Sequence, residues 1–153
     1  MRGTVRIIIG SDHAGFALKE SVKGFLSSAG FRAFDAGTHR DESVDYPDYG
    51  VLAAERVSSG EFEKGILVCG SGVGMAIVAN KFPRIRAALC LDEETARLSR
   101  QHNDSNILVL AGRKTEADAA ERIIKTWLET PFEGGRHQKR LDKIRELEQK
   151  LCK

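Results

Sequence analysis

Short apolar segments alternate with longer amphipathic segments along most of the chain, and this alternation limits the fold more than any other feature. The apolar segments are too short for helices and are rich in the residues typical of strands. They lie at 5–9, 31–34, 65–69, 85–90 and 107–110. The segments between and after them have helical spacing and lie at 16–29, 49–58, 73–80, 93–101 and 115–128.

Strands that are apolar on both faces and joined by helices form parallel sheets with helices on each side. The chain is therefore predicted to be an α/β protein. We expect a three-layer α/β/α sandwich around a five-stranded parallel sheet of Rossmann-like or flavodoxin-like type. In such sheets ligands bind beyond the carboxyl ends of the strands, so the residues that follow strands one, three and five are the first candidates for function.

A further amphipathic helix is predicted at the end of the chain, over about 137–151. Its apolar residues repeat at helical spacing among many charges: Leu141, Ile144, Leu147 and Leu151. This narrow stripe can pack on its own domain or on a second subunit. With 153 residues, 41% of them hydrophobic, the chain suffices for one core, and we predict a single domain over 1–153.

The charge balance favours a small anionic ligand over a macromolecular surface. Lys and Arg number 24 against 22 Asp and Glu, a net charge of +2, which predicts neither nucleic-acid nor membrane binding. The first apolar run ends at 10–13, too early for a signal or membrane segment. Cys69, Cys90 and Cys152 form no CxxC pair and no zinc-like spacing with the four histidines, so we predict reduced thiols, no metal and a cytoplasmic location.

The segment after the third predicted strand is the most informative in the chain. It consists of Cys69, Gly70, Ser71, Gly72, Val73 and Gly74 and runs directly into a helix. Its glycines let backbone N–H groups turn toward one point, where the helix dipole favours an anionic oxygen. A tight turn needed only for packing is the alternative. Met75 stands where a dinucleotide-binding motif needs glycine, and no arginine follows for a cysteine phosphatase.

Three further residues at strand ends can take part in chemistry. Cys69 lies between a strand and a helix N-terminus, which stabilises a thiolate, so it can act as base or nucleophile; a small buried hydrophobe is the alternative. Asp12 and His13 follow strand one and can bind ligand hydroxyls, although an aspartate there can also be a helix cap.

A second group of candidates lies in polar segments. His102, with Asn103 beside it, is expected in a turn facing the same edge, as the best acid/base candidate, unless it is only solvated surface. Arg113, Arg136 and Arg140 can meet one phosphate, although exposed arginines are more often solvated. Tyr46 and Asp45 can line a sugar pocket or form a helix cap with a packed aromatic ring.

In this order the motifs resemble the ribose-5-phosphate isomerase B family over nearly the whole chain. They are the segments 11–15, 45–47, 69–74, 80–81, 100–103 and 134–137. The resemblance implies a cofactor-independent aldose–ketose isomerisation through an enediolate. Cys69 resembles the proton-abstracting base of the family and His102 its ring-opening acid/base. Some members use a glutamate downstream of the loop instead, but this chain has Met75, Ala76 and Ile77 there.

The same resemblance assigns the other positions. Asp12 and His13 contact the sugar or assist ring opening, Asn103 orients the substrate, the amides of 70–74 stabilise the enediolate oxygens, and Arg113, Arg136 and Arg140 match phosphate-binding positions. It also implies a homodimer or homotetramer with sites shared between subunits. Two alternatives stay open: an allose-6-phosphate or galactose-6-phosphate isomerase of the same family, or a sugar-phosphate sensor without catalysis.

Overall fold

The computed structural model describes residues 5–151 and confirms the predicted α/β sandwich. The strands are β1 (Arg6–Ser11), β2 (Arg32–Asp35), β3 (Lys64–Cys69), β4 (Ala87–Leu89) and β5 (Ile107–Ala111). The helices are α1 (Phe16–Ser28), α2 (Tyr46–Ser58), α3 (Val73–Ala79), α4 (Glu93–Asn103), α5 (Ala117–Glu129) and α6 (Arg136–Leu151). Every predicted element is present, with ends that differ by at most three residues. Cys152 lies outside the described residues.

All five strands are parallel, in the order β2-β1-β3-β5-β4. Ser11 pairs with Val68 in the register of β1 and β3, and Cys69 pairs with Ala111 in that of β3 and β5. The chain therefore leaves β1, β3 and β5 side by side, at what we call the carboxyl edge. The opposite side of the sheet, where these strands begin, is the amino edge.

Alternate strand residues point to two separate cores, one on each face of the sheet. One core joins α1, α4 and α5 to the sheet and contains the fully buried Trp127. The other joins α2 and α3 to the opposite face and contains Met75. Cys69 belongs to the second core and Cys90 to the first. The two helical layers fix the directions in which residues at the carboxyl edge project.

The outer strand β4 is shorter than the predicted 85–90, and a side chain binds the backbone of its first residue. Asn80 accepts the N–H of Ala87 at 2.9 Å and donates to the carbonyl of the same residue at 3.0 Å. The side chain of Asn80 thus covers the free edge of the sheet at Ala87.

The last helix, α6, follows α5 at the amino edge and reaches back to the segment before β4. Glu148 accepts the backbone N–H of Arg84 at 2.9 Å. Ile144, Leu147 and Leu151 are all at least half exposed, so most of the predicted apolar stripe has no cover among residues 5–151. No helix in residues 5–151 combines the length and apolarity needed to span a membrane.

Candidate active site

Cys69 ends β3 at the carboxyl edge and is held there by backbone bonds from the neighbouring strand. Its carbonyl accepts the N–H of Gly112 at 2.7 Å, and the carbonyl of Gly70 accepts the N–H of Arg113 at 3.0 Å. The guanidinium of Arg113 lies over Gly70, where a Cβ atom would come within 3.1 Å of Nη1. Cys69 is 4% exposed. The guanidinium of Arg113 therefore covers the residue that follows Cys69, at the start of the glycine loop.

The glycine loop turns from β3 into α3 in a conformation that suits glycine. Gly72 precedes α3 with φ at 80°, in the left-handed region. Ser71 accepts the N–H of Val73 through its hydroxyl at 3.2 Å. The ring of Tyr46 lies against Gly74, so that a Cβ atom there would be 2.6 Å from the ring. The structure thus brings the first residue of α2 onto the loop, and any larger residue at 74 would displace it.

Asp12 and His13 follow β1 at the same edge. Asp12 is buried, donates its N–H to the Val68 carbonyl at 3.2 Å, and accepts the N–H of Gly15 at Oδ1 at 2.9 Å. Nδ1 of His13 lies 3.1 Å from the N–H donor of Val44. The same nitrogen lies 3.2 Å from the carbonyl oxygen of Val44, so Nδ1 finds a partner on Val44 as donor or as acceptor.

An ion pair with a fully buried lysine supports this segment, and it was not predicted from the sequence. Nζ of the fully buried Lys19 lies 2.7 Å from both carboxylate oxygens of Asp35. Asp35 also accepts the N–H of Gly37 at 2.9 Å, and the Gly37 carbonyl accepts the N–H of Ser11 at 2.7 Å. Burial raises the pKa of Asp35, but hydrogen bonds from Lys19 and Lys23 outweigh it and leave the pKa below its usual value.

The spacing of Lys19 carried a signal that was available in the sequence. Lys19, Val22 and Leu26 lie three and four residues apart, on the stripe of α1 that faces the sheet. A lysine within such a stripe needs a buried carboxylate as partner. Lys19 therefore holds the loop beside Asp12 and His13 in place through Asp35.

The prediction that His102 and Asn103 lie in a turn facing the same edge as Cys69 is wrong. Helix α4 continues through Asn103, and β5 begins four residues later, so both residues lie at the amino edge. Polar residues at 101–103 read as a turn in the sequence. They extend the helix because Arg100, 8% exposed, donates to Asp104 at 2.9 Å and to the Ser105 carbonyl at 2.6 Å.

His102 is in contact with the start of α6 at the amino edge. Its ring stacks on that of His137, with centroids 4.3 Å apart and planes inclined by 13°. Nε2 of His137 lies 3.3 Å from a carboxylate oxygen of Glu133. Burial and the positive charges of Arg136 and His102 lower the pKa of His137. Arg136 and Arg140 are exposed beside this pair on the first turns of α6.

The predicted site residues thus form two groups on opposite edges of one chain. The carboxyl edge holds Asp12, His13, Tyr46, Cys69, the loop 70–74 and Arg113. The amino edge holds His102, Asn103, Arg136 and Arg140. Arg113 does not meet the other two arginines within the chain. Each group is half of the predicted constellation: one with the thiol and the glycine loop, the other with the imidazole and two guanidinium groups.

Comparison with known proteins gives agreement over nearly the whole chain. The model of the family described as Ribose/Galactose Isomerase matches residues 7–144. The ribose-5-phosphate isomerase B of Escherichia coli strain K12 is 44% identical over 145 residues, which cover 95% of this chain and 97% of that protein.

Solved structures agree as closely. The structure of ribose-5-phosphate isomerase B from Clostridium thermocellum superposes with a TM-score of 0.95 at 51% identity, covering 97% of this chain and all of that one. The Mycoplasma genitalium enzyme of the same name, solved with bound ribulose 5-phosphate, superposes with a TM-score of 0.92 at 40% identity, covering 96% and 98% of the two chains.

Proposed function

The chain belongs to the ribose/galactose isomerase family, and from this we propose that it interconverts D-ribose 5-phosphate and D-ribulose 5-phosphate. It is an isomerase of the ribose-5-phosphate isomerase B type. The observation that carries the proposal is the position of Cys69 at the start of a glycine loop, next to the residue that the Arg113 guanidinium covers. This combination supplies a base, donors for an oxyanion and a partner for phosphate at one sheet edge.

The reaction moves one proton between two carbons. The Cys69 thiolate takes the proton from C2 of the open aldose, and the electron pair of that bond forms the enediolate. The thiol then returns the proton to C1 while the oxygens exchange theirs, which yields the ketose. The location of Cys69, between a strand end and the helix α3, supports its role as base.

The glycine loop stabilises the negative charge that develops on the sugar oxygens. Its backbone amides at 70–74 are the donors in this proposal, except that of Val73, which already donates to the hydroxyl of Ser71. Each well-placed donor contributes about 3 kcal/mol to such a transition state. Asp12 and His13 bind sugar hydroxyls from the β1 side. Tyr46 closes the opposite side of the loop. We expect no metal requirement because these donors take the place of a cation.

A second copy of the chain completes the site. His102, Asn103, Arg136 and Arg140 lie at the amino edge and come to Cys69 from a partner subunit, in a homodimer or homotetramer. Two exposed apolar surfaces support association: Val73 and Ile77 on α3 beside the loop, and the stripe on α6. The partner's imidazole at 102 opens the sugar ring, and its arginines at 136 and 140 join Arg113 on the phosphate.

The proposed substrates also indicate a metabolic pathway and a cellular compartment. Interconversion of these pentose phosphates belongs to pentose phosphate metabolism, and phosphorylated sugars are held inside cells by their charge. Cys69 and Cys90 are free thiols, which supports a reducing compartment and hence the cytoplasm.

Turnover by the purified protein tests this function. We expect rapid conversion of ribose 5-phosphate in the presence of EDTA, with Cys69→Ala as the inactive control. Allose 6-phosphate and galactose 6-phosphate are assayed in parallel. Preference for a hexose phosphate would assign the chain to the sister activity, and binding of ribose 5-phosphate without turnover would make it a sensor.

A further inference from the structure

Three metal-ligating side chains converge at the amino edge, outside the part of the site that holds the thiol. They are His102, Glu133 and His137, and one donor atom from each lies within 4.8 Å of the other two. Nε2 of His137 is 3.3 Å from the carboxylate of Glu133. Two ligands of a tetrahedral zinc ion, each at about 2.1 Å, are separated by about 3.4 Å. This pair already has the spacing of two zinc ligands.

One atom of this cluster has no hydrogen-bond partner in the part of the chain that the structure describes. Nε2 of His137 is buried and unsatisfied, because the nearby carboxylate is not aligned for a hydrogen bond. His137 as a whole is 4% exposed, and a buried ring nitrogen without a partner is rare. The side chain of Glu133 is 49% exposed and provides the entry path.

The chemistry of these ligands selects a class of ion. Two imidazoles and one carboxylate suit Zn²⁺ and similar transition metals and do not suit Mg²⁺ or Ca²⁺, which prefer all-oxygen sites. Arg136 and Arg140 lie close by and weaken the binding of any cation. An ion held by strong imidazole bonds is therefore favoured over one held by charge alone.

Binding would change the position of His102. The two rings are nearly parallel, so their nitrogen lone pairs do not converge on one point in the stacked arrangement. His102 is half-buried at the end of α4, and its ring must rotate out of the stack to share an ion with His137. The metal then binds the imidazole of His102, which the proposed reaction needs for ring opening.

We propose that His102, Glu133 and His137 form an inhibitory site for Zn²⁺ or a similar transition-metal ion, which withdraws His102 from the active site. The inhibition rests on the proposed function, whereas the binding of metal does not. The two are therefore measured separately. One readout is visible absorption of bound Co²⁺, and the other is isomerase activity as Zn²⁺ is added to EDTA-treated, desalted protein.

Two variants change proposed ligands, and two others serve as controls. Glu133→Gln keeps the shape of the carboxylate, and His137→Phe keeps an aromatic ring on His102. His39→Gln is the matched control, because His39 is exposed at the other edge. Cys69→Ser tests whether the thiol holds the metal instead. Glu133→Gln serves as the main variant if His137→Phe fails to fold.

We expect one Co²⁺ per chain in the unmodified protein, in His39→Gln and in Cys69→Ser. Binding should be lost in His137→Phe and weakened by at least about tenfold in Glu133→Gln, with a parallel rise in the Zn²⁺ concentration that inhibits Glu133→Gln. Equal binding in all variants, loss of binding in Cys69→Ser, or binding without inhibition would overturn the proposal. Specific Co²⁺ binding by a protein without any isomerase activity would overturn the proposed function and leave the metal site standing.

Discussion

Cys69 and His102 lie at opposite edges of the same sheet. Cys69 ends β3, whereas His102 lies in the last turn of α4, just before β5 begins. A strand of six residues such as β3 spans about 16 Å, so the thiol and the imidazole of one chain cannot act on the same sugar carbon and ring oxygen. If both take part in the reaction, they come from two chains.

Mixing two inactive variants tests this arrangement. In a heterodimer of Cys69→Ala and His102→Asn chains, one site carries both substitutions and the other carries neither. Random mixing makes half of all dimers mixed, so about a quarter of the unmodified activity should return. The measurement is ribose 5-phosphate turnover after co-expression with two different tags or after mixed refolding.

A second mixture provides the control. Cys69 and Arg113 share the carboxyl edge of one chain. A dimer of Cys69→Ala and Arg113→Ala chains therefore has one defect in each site, and its activity should stay at the level of the two parents. Equal recovery in both mixtures, or none in the first, would contradict a site shared between subunits.

Replacement of Cys69 should remove proton transfer and leave phosphate binding. We expect Cys69→Ala to lower kcat by about 10²–10⁴-fold, the usual contribution of a positioned acid or base, while the affinity for inorganic phosphate changes little. Exchange of the C2 hydrogen with solvent deuterium reports the step directly. Cys90→Ala is the matched control: burial raises the pKa of Cys90 to about 11, so this thiol carries no charge near pH 7. Loss of exchange in both variants would argue against Cys69 as the base.

The fold could be predicted from the sequence because its elements depend on local patterns. Strands β1, β3 and β5 are continuous apolar runs, and a run of this kind is buried on both faces wherever it lies in a sheet. The order of β4 and β5 in the sheet could not be predicted from the sequence, since the two strands have similar apolar patterns. Strand β4 was predicted too long because the apolar run at 85–90 extends beyond the residues 87–89 that pair with β5.

The position in the fold was predicted correctly for only one of the two groups of candidate residues. Residues directly after strands, such as Asp12 and Cys69, lie where the parallel topology requires. His102 was misplaced because its polar neighbours resemble a turn, whereas buried bonds from Arg100 extend the helix. The contact of His102 with His137 joins residues 35 positions apart, and no local sequence pattern predicts it.

Lys64 should make the stability depend on pH in the alkaline range. Burial, followed by the charge of Arg100, lowers the pKa of Lys64 to about 8 from 10.5. The folded state therefore holds this proton more weakly than the unfolded state. The cost of the buried charge is full below about pH 8 and disappears as the pH rises to 10.5.

Lys64→Met removes this dependence. We expect the free energy of unfolding of the unmodified protein, relative to Lys64→Met, to increase between pH about 8 and about 10.5. Urea titrations at several pH values give the difference, in which the titration of Cys90 cancels. Lys125→Met, at an exposed position, should show no such trend, and a flat difference for Lys64→Met would contradict the shift.

The end of α4 is held by a buried hydroxyl that serves two partners. Ser105, 1% exposed, accepts the indole N–H of Trp127 at 2.8 Å and lies 2.8 Å from the hydroxyl of Ser99. Ser105→Ala leaves the N–H of the fully buried Trp127 without an acceptor. We expect a loss of about 1–3 kcal/mol in the free energy of unfolding, the cost of one unpaired buried polar group, measured by urea denaturation followed by circular dichroism.

Two further comparisons separate the cost of the unpaired indole N–H from a general effect of losing a hydroxyl group. Ser59→Ala removes an exposed hydroxyl that bonds only to the carbonyl of Arg56 at 3.1 Å, and should change stability by less than about 0.5 kcal/mol. In a Trp127→Phe background, which has no indole N–H, Ser105→Ala should cost less than in the unmodified protein. An equal cost in both backgrounds would show that the indole bond adds nothing, because a double-mutant cycle without coupling means independent sites. A smaller cost would place the indole and the hydroxyl in one network that anchors α4, and with it His102, to the core.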